Sequence, residues 1–105
     1  MEAAVLHQPR IAWDAARMLV TAAEAGGAHF EWFADELAAV LGSAWRQPLE
    51  QTRTQLAAAV RPDVRSVEAG KWRFRLEDAL RTRPDVSAPM HSLVRSARVR
   101  FAHLG

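Results

Sequence analysis

The sequence predicts an α+β fold that is mainly α, in which a helical core carries one β-hairpin. Two observations lead to this fold class. Before residue 61, apolar side chains recur at helical spacing, whereas residues 71–76 alternate strictly between cationic and apolar side chains. Such alternation is typical of a strand with one buried face. A second helical stripe after residue 87 adds a C-terminal helix to the prediction.

Length and composition indicate one small globular domain over residues 1–105, with a core at about 10–78 and a final helix at about 88–104. The chain has no cysteine, which excludes disulfides and thiolate metal sites. It has no apolar run of roughly 20 residues, which is the length that a helix needs to span a bilayer. Its opening residues lack the basic start and long apolar stretch of a secretory signal. We therefore expect a cytoplasmic protein with no membrane contact.

Charge is distributed unevenly along the chain. Residues 1–52 contain three arginines and seven acidic residues, whereas residues 53–105 contain eleven basic and five acidic residues. A basic half can attract phosphate groups or an acidic protein surface, and charge alone does not decide between them.

The first helix is expected between Pro9 and the Gly26–Gly27 pair, because proline suits a first helical turn and glycine a helix end. Its stripe of Ile11, Ala15 and Leu19 faces one side. Trp13, Ala16 and Val20 make the opposite side apolar as well. We expect this second side to be buried against another helix or a partner chain.

Three more helices follow from the same spacing argument. Phe30, Phe33, Leu37 and Leu41 mark an amphipathic helix that ends at Gly42. Pro48 suits the start of a third helix, which runs to about Val60. Ser87 can cap the last helix. The apolar stripe of that helix is Met90, Leu93, Val94, Ala97, Phe101 and Leu104.

The hairpin is expected within "VRSVEAGKWRFRLEDA". Residues 64–68 read as a first strand, Ala69–Gly70 as the turn and residues 71–76 as the second strand. An isolated hairpin is barely stable in water, so its apolar side must pack on the helices.

This order of helices and hairpin resembles the winged helix-turn-helix superfamily. The segments that carry the resemblance are "FADELAAVLG" as the first helix of the motif, "QPLEQTRTQLAAAV" as the recognition helix and the hairpin as the wing. The resemblance implies a small double-stranded-DNA-binding protein, such as a transcriptional regulator or nucleoprotein component. In that family the recognition helix enters the major groove while the wing contacts the backbone or minor groove.

The expected DNA contacts come from two elements. On the recognition helix, Gln47, Gln51 and Thr54 face outward and can bond to bases, and Arg61 can reach a phosphate. On the wing, three cations in register can meet phosphates, or can simply protect an edge strand from aggregation. These wing residues are Lys71, Arg73 and Arg75.

The alternative is a protein–protein interaction subunit that uses the same fold without touching DNA. Large exposed aromatic residues are typical interface anchors. The possible interface residues are Trp13, Val20 and Trp32. Because the first helix has a surplus apolar side, and one such domain contacts few base pairs, we also expect a homodimer.

An enzyme is not expected. The four histidines occur singly, without the spacing that would place two ligands on one helix face. No glycine-rich phosphate loop or activated serine is evident. The sequence therefore predicts no catalytic residue, no metal site and no cofactor.

Overall fold

Five α-helices, and no β-strand, make up the part of the chain that the computed structural model describes, residues 7–104. The helices are α1 (Gln8–Ala25), α2 (Gly27–Leu41), α3 (Arg46–Ala57), α4 (Val64–Thr82) and α5 (Ser87–Arg100). Short 3-10 turns at Ser43–Trp45 and Pro84–Val86 precede α3 and α5. The single domain predicted over residues 1–105 includes residues 1–6 and 105, which lie outside the described residues.

Helix α1 forms as predicted and lies at the centre of the fold. Pro9 stands in its first turn, and the His7 ring nitrogen Nδ1 accepts a hydrogen bond from the Arg10 backbone N–H at 3.3 Å. Gly26 ends the helix with φ of 66°, a left-handed conformation that favours glycine. The helix packs against all four others. Its second apolar side is therefore covered largely within the chain, and Val20 is fully buried.

The helices predicted from Phe30 and Pro48 are also confirmed, as α2 and α3. Gly42 follows α2 with φ of 112°, which again favours glycine. Helix α3 begins just before Pro48 and stops at Ala57, so Val60 lies beyond it and is 95% exposed. The α3 side chains that reach the core are Leu49 and Thr52.

The predicted hairpin is wrong, because residues 64–82 form the single helix α4. A strand would place Trp72, Phe74 and Leu76 on one side. In α4, Trp72 and Leu76 are completely buried, whereas Phe74 points away and is 68% exposed. Ala69, Trp72, Leu76 and Leu80 recur at helical spacing and form the buried stripe. Gly70 lies inside the helix rather than in a turn.

The change from hairpin to helix overturns the fold class and the family resemblance together. The structure is 86% helical with no strand among residues 7–104, so the fold is all-α rather than α+β. A winged helix-turn-helix domain requires the hairpin wing, and residues 64–76 do not supply one. Residues 7–104 therefore form a five-helix fold around α1.

The last predicted helix is confirmed as α5, which packs on α1 and α2. Its predicted apolar residues are buried up to Phe101, whereas Leu104 remains 41% exposed. Ser87 does not cap the helix with its side chain; its hydroxyl accepts a hydrogen bond from Gln8 Nε2 at 3.2 Å. Asp14 of α1 lies 2.9 Å from Arg98 of α5, so this arginine of the basic second half is paired within the chain.

We expect opposite results from replacing the two aromatic residues of α4. Trp72→Ala should lower the free energy of unfolding by about 3–5 kcal/mol, because it empties a fully buried site. Phe74→Ala should change it by less than about 0.5 kcal/mol, because the ring is mostly exposed. Urea unfolding followed by circular dichroism measures both. Equal losses would contradict the helix, since a strand would bury both rings on one side.

Candidate functional site

A polar cleft between α3 and α4 gathers three of the residues predicted to contact DNA. Gln51, Lys71 and Arg75 line it, and its volume is about 300 Å³. The other lining residues are Pro48, Thr52, Gln55 and Glu68. The cleft carries a carboxylate at its floor as well as two cations at its rim, so it is not a uniformly basic surface.

A buried hydrogen-bond chain forms the floor of this cleft. The Trp72 indole N–H donates to Thr52 Oγ1 at 2.6 Å, and the Thr52 hydroxyl donates to Glu68 Oε1 at 3.2 Å. Lys71 Nζ lies 3.1 Å from Glu68 Oε2. Thr52 and Glu68 are both buried, and each polar group has a partner. These hydrogen bonds therefore join α3 to α4 and give each buried polar group a partner.

The three predicted wing cations do not form one row. Lys71 and Arg75 line the cleft beside α3, and the Arg75 guanidinium also lies 5.0 Å from the centre of the Trp72 ring on its own helix. Arg73 points toward α1 and lies 5.8 Å from the centre of the Trp13 ring. A helix separates these side chains by 100° per residue, whereas a strand would align them.

The remaining predicted DNA contacts are dispersed. Gln47 and Thr54 are exposed on α3, and the Thr54 hydroxyl donates to the Glu50 carbonyl of its own helix at 3.1 Å. Arg61 lies in the connection after α3 and donates to Asp63 at 2.7 Å. Only Gln51 shares the cleft with the α4 cations.

The three predicted interface residues have different surroundings. Trp13 is 39% exposed beside Arg73. Trp32 is half-buried, edge-on to Phe101 at 5.9 Å and covered by Arg100 at 4.8 Å. Val20 is fully buried inside the chain and has no surface to offer a partner.

The feature that the sequence reading missed is the outward side of α4, where apolar side chains face solvent. Phe74 is 68% exposed and Val67 is 47% exposed, and Gly70 lies between them along the helix. A glycine inside a helix costs about 1 kcal/mol relative to alanine. Apart from its two chain neighbours and the nearby backbone of α4, no described residue has an atom within 4 Å of the position that a Cβ on Gly70 would take, so close packing against another element does not explain it.

Charged residues border this apolar side in a simple order. Lys71 and Arg73 lie in the preceding turn, and Glu77 and Asp78 lie in the following turn. The two acids are held loosely by Arg81, at 3.8 Å and 3.2 Å. We call this surface the α4 face: Val67, Gly70, Lys71, Arg73, Phe74, Glu77 and Asp78.

A helical reading of the same residues could have identified the α4 face. Pro62 and Pro84 bracket a stretch in which Ala69, Trp72, Leu76 and Leu80 share one face at 100° per residue. Once that face is assigned to the core, Val67 and Phe74 are left over on the outside. An apolar surplus of this kind marks a candidate interaction surface.

Comparison with protein families, with curated proteins and with solved structures found no match. Among residues 7–104, no group of three or more histidine or acidic side chains could hold a metal ion. No helix in that range has both the length and the apolar character needed to cross a bilayer.

The buried hydrogen-bond chain can be tested with two threonines of the same helix. Thr52→Val should lower the free energy of unfolding by about 1–3 kcal/mol, because it leaves the Trp72 N–H and the Glu68 carboxylate short of a partner. Thr54→Val is the matched control, since the Thr54 side chain is exposed and bonds only its own helix. Chemical denaturation of both variants gives the comparison. Equal stabilities for the two variants would show that the buried hydrogen bonds of Thr52 contribute nothing to the free energy of unfolding.

Proposed function

We propose that this chain is a protein–protein interaction subunit that docks a partner through the α4 face and does not contact DNA directly. The observation that carries the proposal is the exposed Phe74 on a long, well-packed helix, beside Val67 and the open surface at Gly70. A rigid aromatic anchor with a charged rim is the usual anatomy of a protein interface. Gly70 adds space for a second backbone to approach closely.

The distribution of charge favours a protein partner over duplex DNA. Seven arginines of α3, α4, α5 and the connections lie within 4.0 Å of a carboxylate of the same chain: Arg46, Arg53, Arg61, Arg65, Arg81, Arg83 and Arg98. DNA affinity depends on cations that neutralise phosphates. Duplex DNA binding stays a prediction that the structure does not test, but the wing on which it depended is absent from residues 64–76.

The homodimer predicted from the sequence needs a different surface from the one first expected. The second apolar side of α1 is largely occupied by the chain's own helices, with Val20 fully buried. Self-association in the cytoplasm, as the sequence predicts, would therefore use the α4 face. Trp13 lies at the edge of this face, next to Arg73.

Photo-cross-linking in the cells that make the protein tests the docking surface. A benzophenone side chain in place of Phe74 should give one major adduct, because this position would lie at the centre of the interface. The same side chain at Val99, which is 77% exposed on α5, is the matched control. The purified adduct partner should then bind the chain at least about tenfold more weakly after Phe74→Ala. Equal adducts at both positions would overturn the proposal.

A polarization assay with mixed-sequence duplex DNA separates the two functions. We expect replacement of Lys71, Arg73 and Arg75 together by alanine to weaken partner binding and to leave DNA affinity unchanged at every salt concentration. A DNA complex that weakens by about 0.9 log units per phosphate contact for each log unit of salt, with a smaller slope in the triple variant, would favour DNA binding instead.

A further inference from the structure

The charges of the α4 face have opposite signs before and after Phe74 along the helix. Lys71 and Arg73 precede the ring, and Glu77 and Asp78 follow it. A helix read in the reverse direction would present the acids first and the bases last. The face is therefore complementary to its own antiparallel copy.

We infer that the partner of the α4 face is a second copy of this chain, docked with its α4 antiparallel to the first. This inference rests on the proposed function, because it names the occupant of the same surface. In such a pair, Lys71 faces Asp78 of the second copy, and Arg73 faces Glu77 of the second copy. The twofold axis repeats both contacts, which makes four ion pairs.

The two kinds of ion pair require nearly the same register. The midpoint between positions 71 and 78 and the midpoint between positions 73 and 77 differ by half a residue, or about 0.8 Å of helix rise. Both midpoints lie within one residue of Phe74. The two Phe74 rings therefore meet near the axis, and the open surface at Gly70 lies about one turn away, opposite the end of the second helix.

A partner of single charge fits this face less well. An acidic helix would bring carboxylates against Glu77 and Asp78, and a basic helix would bring cations against Lys71 and Arg73. Like charges held opposite each other oppose association. A second copy satisfies both halves of the face at once.

Most contacts that the dimer must replace are weak. The exception is Lys71, which lies 3.1 Å from the buried Glu68 and shares its ammonium group between that carboxylate and Asp78 of the second copy. Asp78 and Arg81 form an exposed pair, which contributes about 0–1 kcal/mol, and Glu77, whose side chain is 26% exposed, lies 3.8 Å from the same arginine. Arg73 lies against the Trp13 ring and has no carboxylate within 4.0 Å among residues 7–104. One helix pair buries less than the roughly 1,600 Å² of a standard interface, so we expect a transient dimer that forms at about 10–500 μM.

Charge exchange at positions 73 and 77 tests the inference by sedimentation equilibrium on the full chain at low salt. Arg73→Glu or Glu77→Arg alone should weaken self-association by about tenfold or more, because each opposes like charges twice. The double variant should recover it, because both pairs are reversed together. The two single variants, when mixed, should form a heterodimer more readily than either forms a homodimer.

Arg95→Glu is the matched control, since it makes the same charge change at an exposed position of α5. It should leave the association constant within about twofold of the wild-type value. Circular dichroism of each variant confirms that the helices remain. Phe74→Ala, which removes the central ring from a mostly exposed position, should also weaken self-association by about tenfold.

The outcomes separate this inference from the proposed function. In one outcome the protein stays monomeric at about 500 μM while residue 74 cross-links to a different protein. That result overturns the inferred homodimer and leaves the proposed docking surface intact. A dimer whose association constant does not change in Arg73→Glu and Phe74→Ala overturns the inference that the second copy docks at the α4 face. A monomer with no specific adduct overturns both.

Discussion

The burial of Trp72 is the constraint on which the rest of this structure depends. Its ring is completely buried beside Trp45, at 5.8 Å between ring centres, and its N–H is bonded to Thr52 of α3. Burying an indole requires a partner for its N–H, and Thr52 is that partner because Glu68 in turn accepts from the threonine hydroxyl. One side chain thus determines how α3 and α4 are joined.

The same constraint places the candidate site. With Trp72 and Leu76 turned inward, Phe74 lies about 200° from Trp72 around the helix and must face solvent. Arg73 is directed toward α1 and Arg75 toward α3. The cations that a strand would align for phosphate contacts are therefore spread around a helix, and the aromatic ring that a hairpin would bury becomes the most exposed apolar side chain of the α4 face.

Sequence reasoning predicted correctly the elements in which the apolar residues repeat at helical spacing only. Helices α1, α2 and α5 each carry apolar stripes at helical spacing, and Pro9, Gly26 and Gly42 mark three of their boundaries. Residues 64–82 fit both periods, because Trp72, Phe74 and Leu76 satisfy a strand period while Ala69, Trp72, Leu76 and Leu80 satisfy a helix period. Phe74 led to the wrong prediction because its ring lies on the surface rather than in the core. Exposed functional residues are where sequence rules are expected to fail.

The sequence by itself determined that most of the chain is helical, where α1 and α2 end, and that its second half is basic. Local spacing and glycine or proline boundaries are sufficient for those features, because they depend on residues near one another in the chain. Only the tertiary structure decided whether residues 64–82 extend or coil, and therefore which side of that segment meets solvent. The deciding contacts are long-range: Trp72 bonds to Thr52 across 20 residues of sequence, and α4 packs along α1. Such partners cannot be identified from the local pattern of either segment.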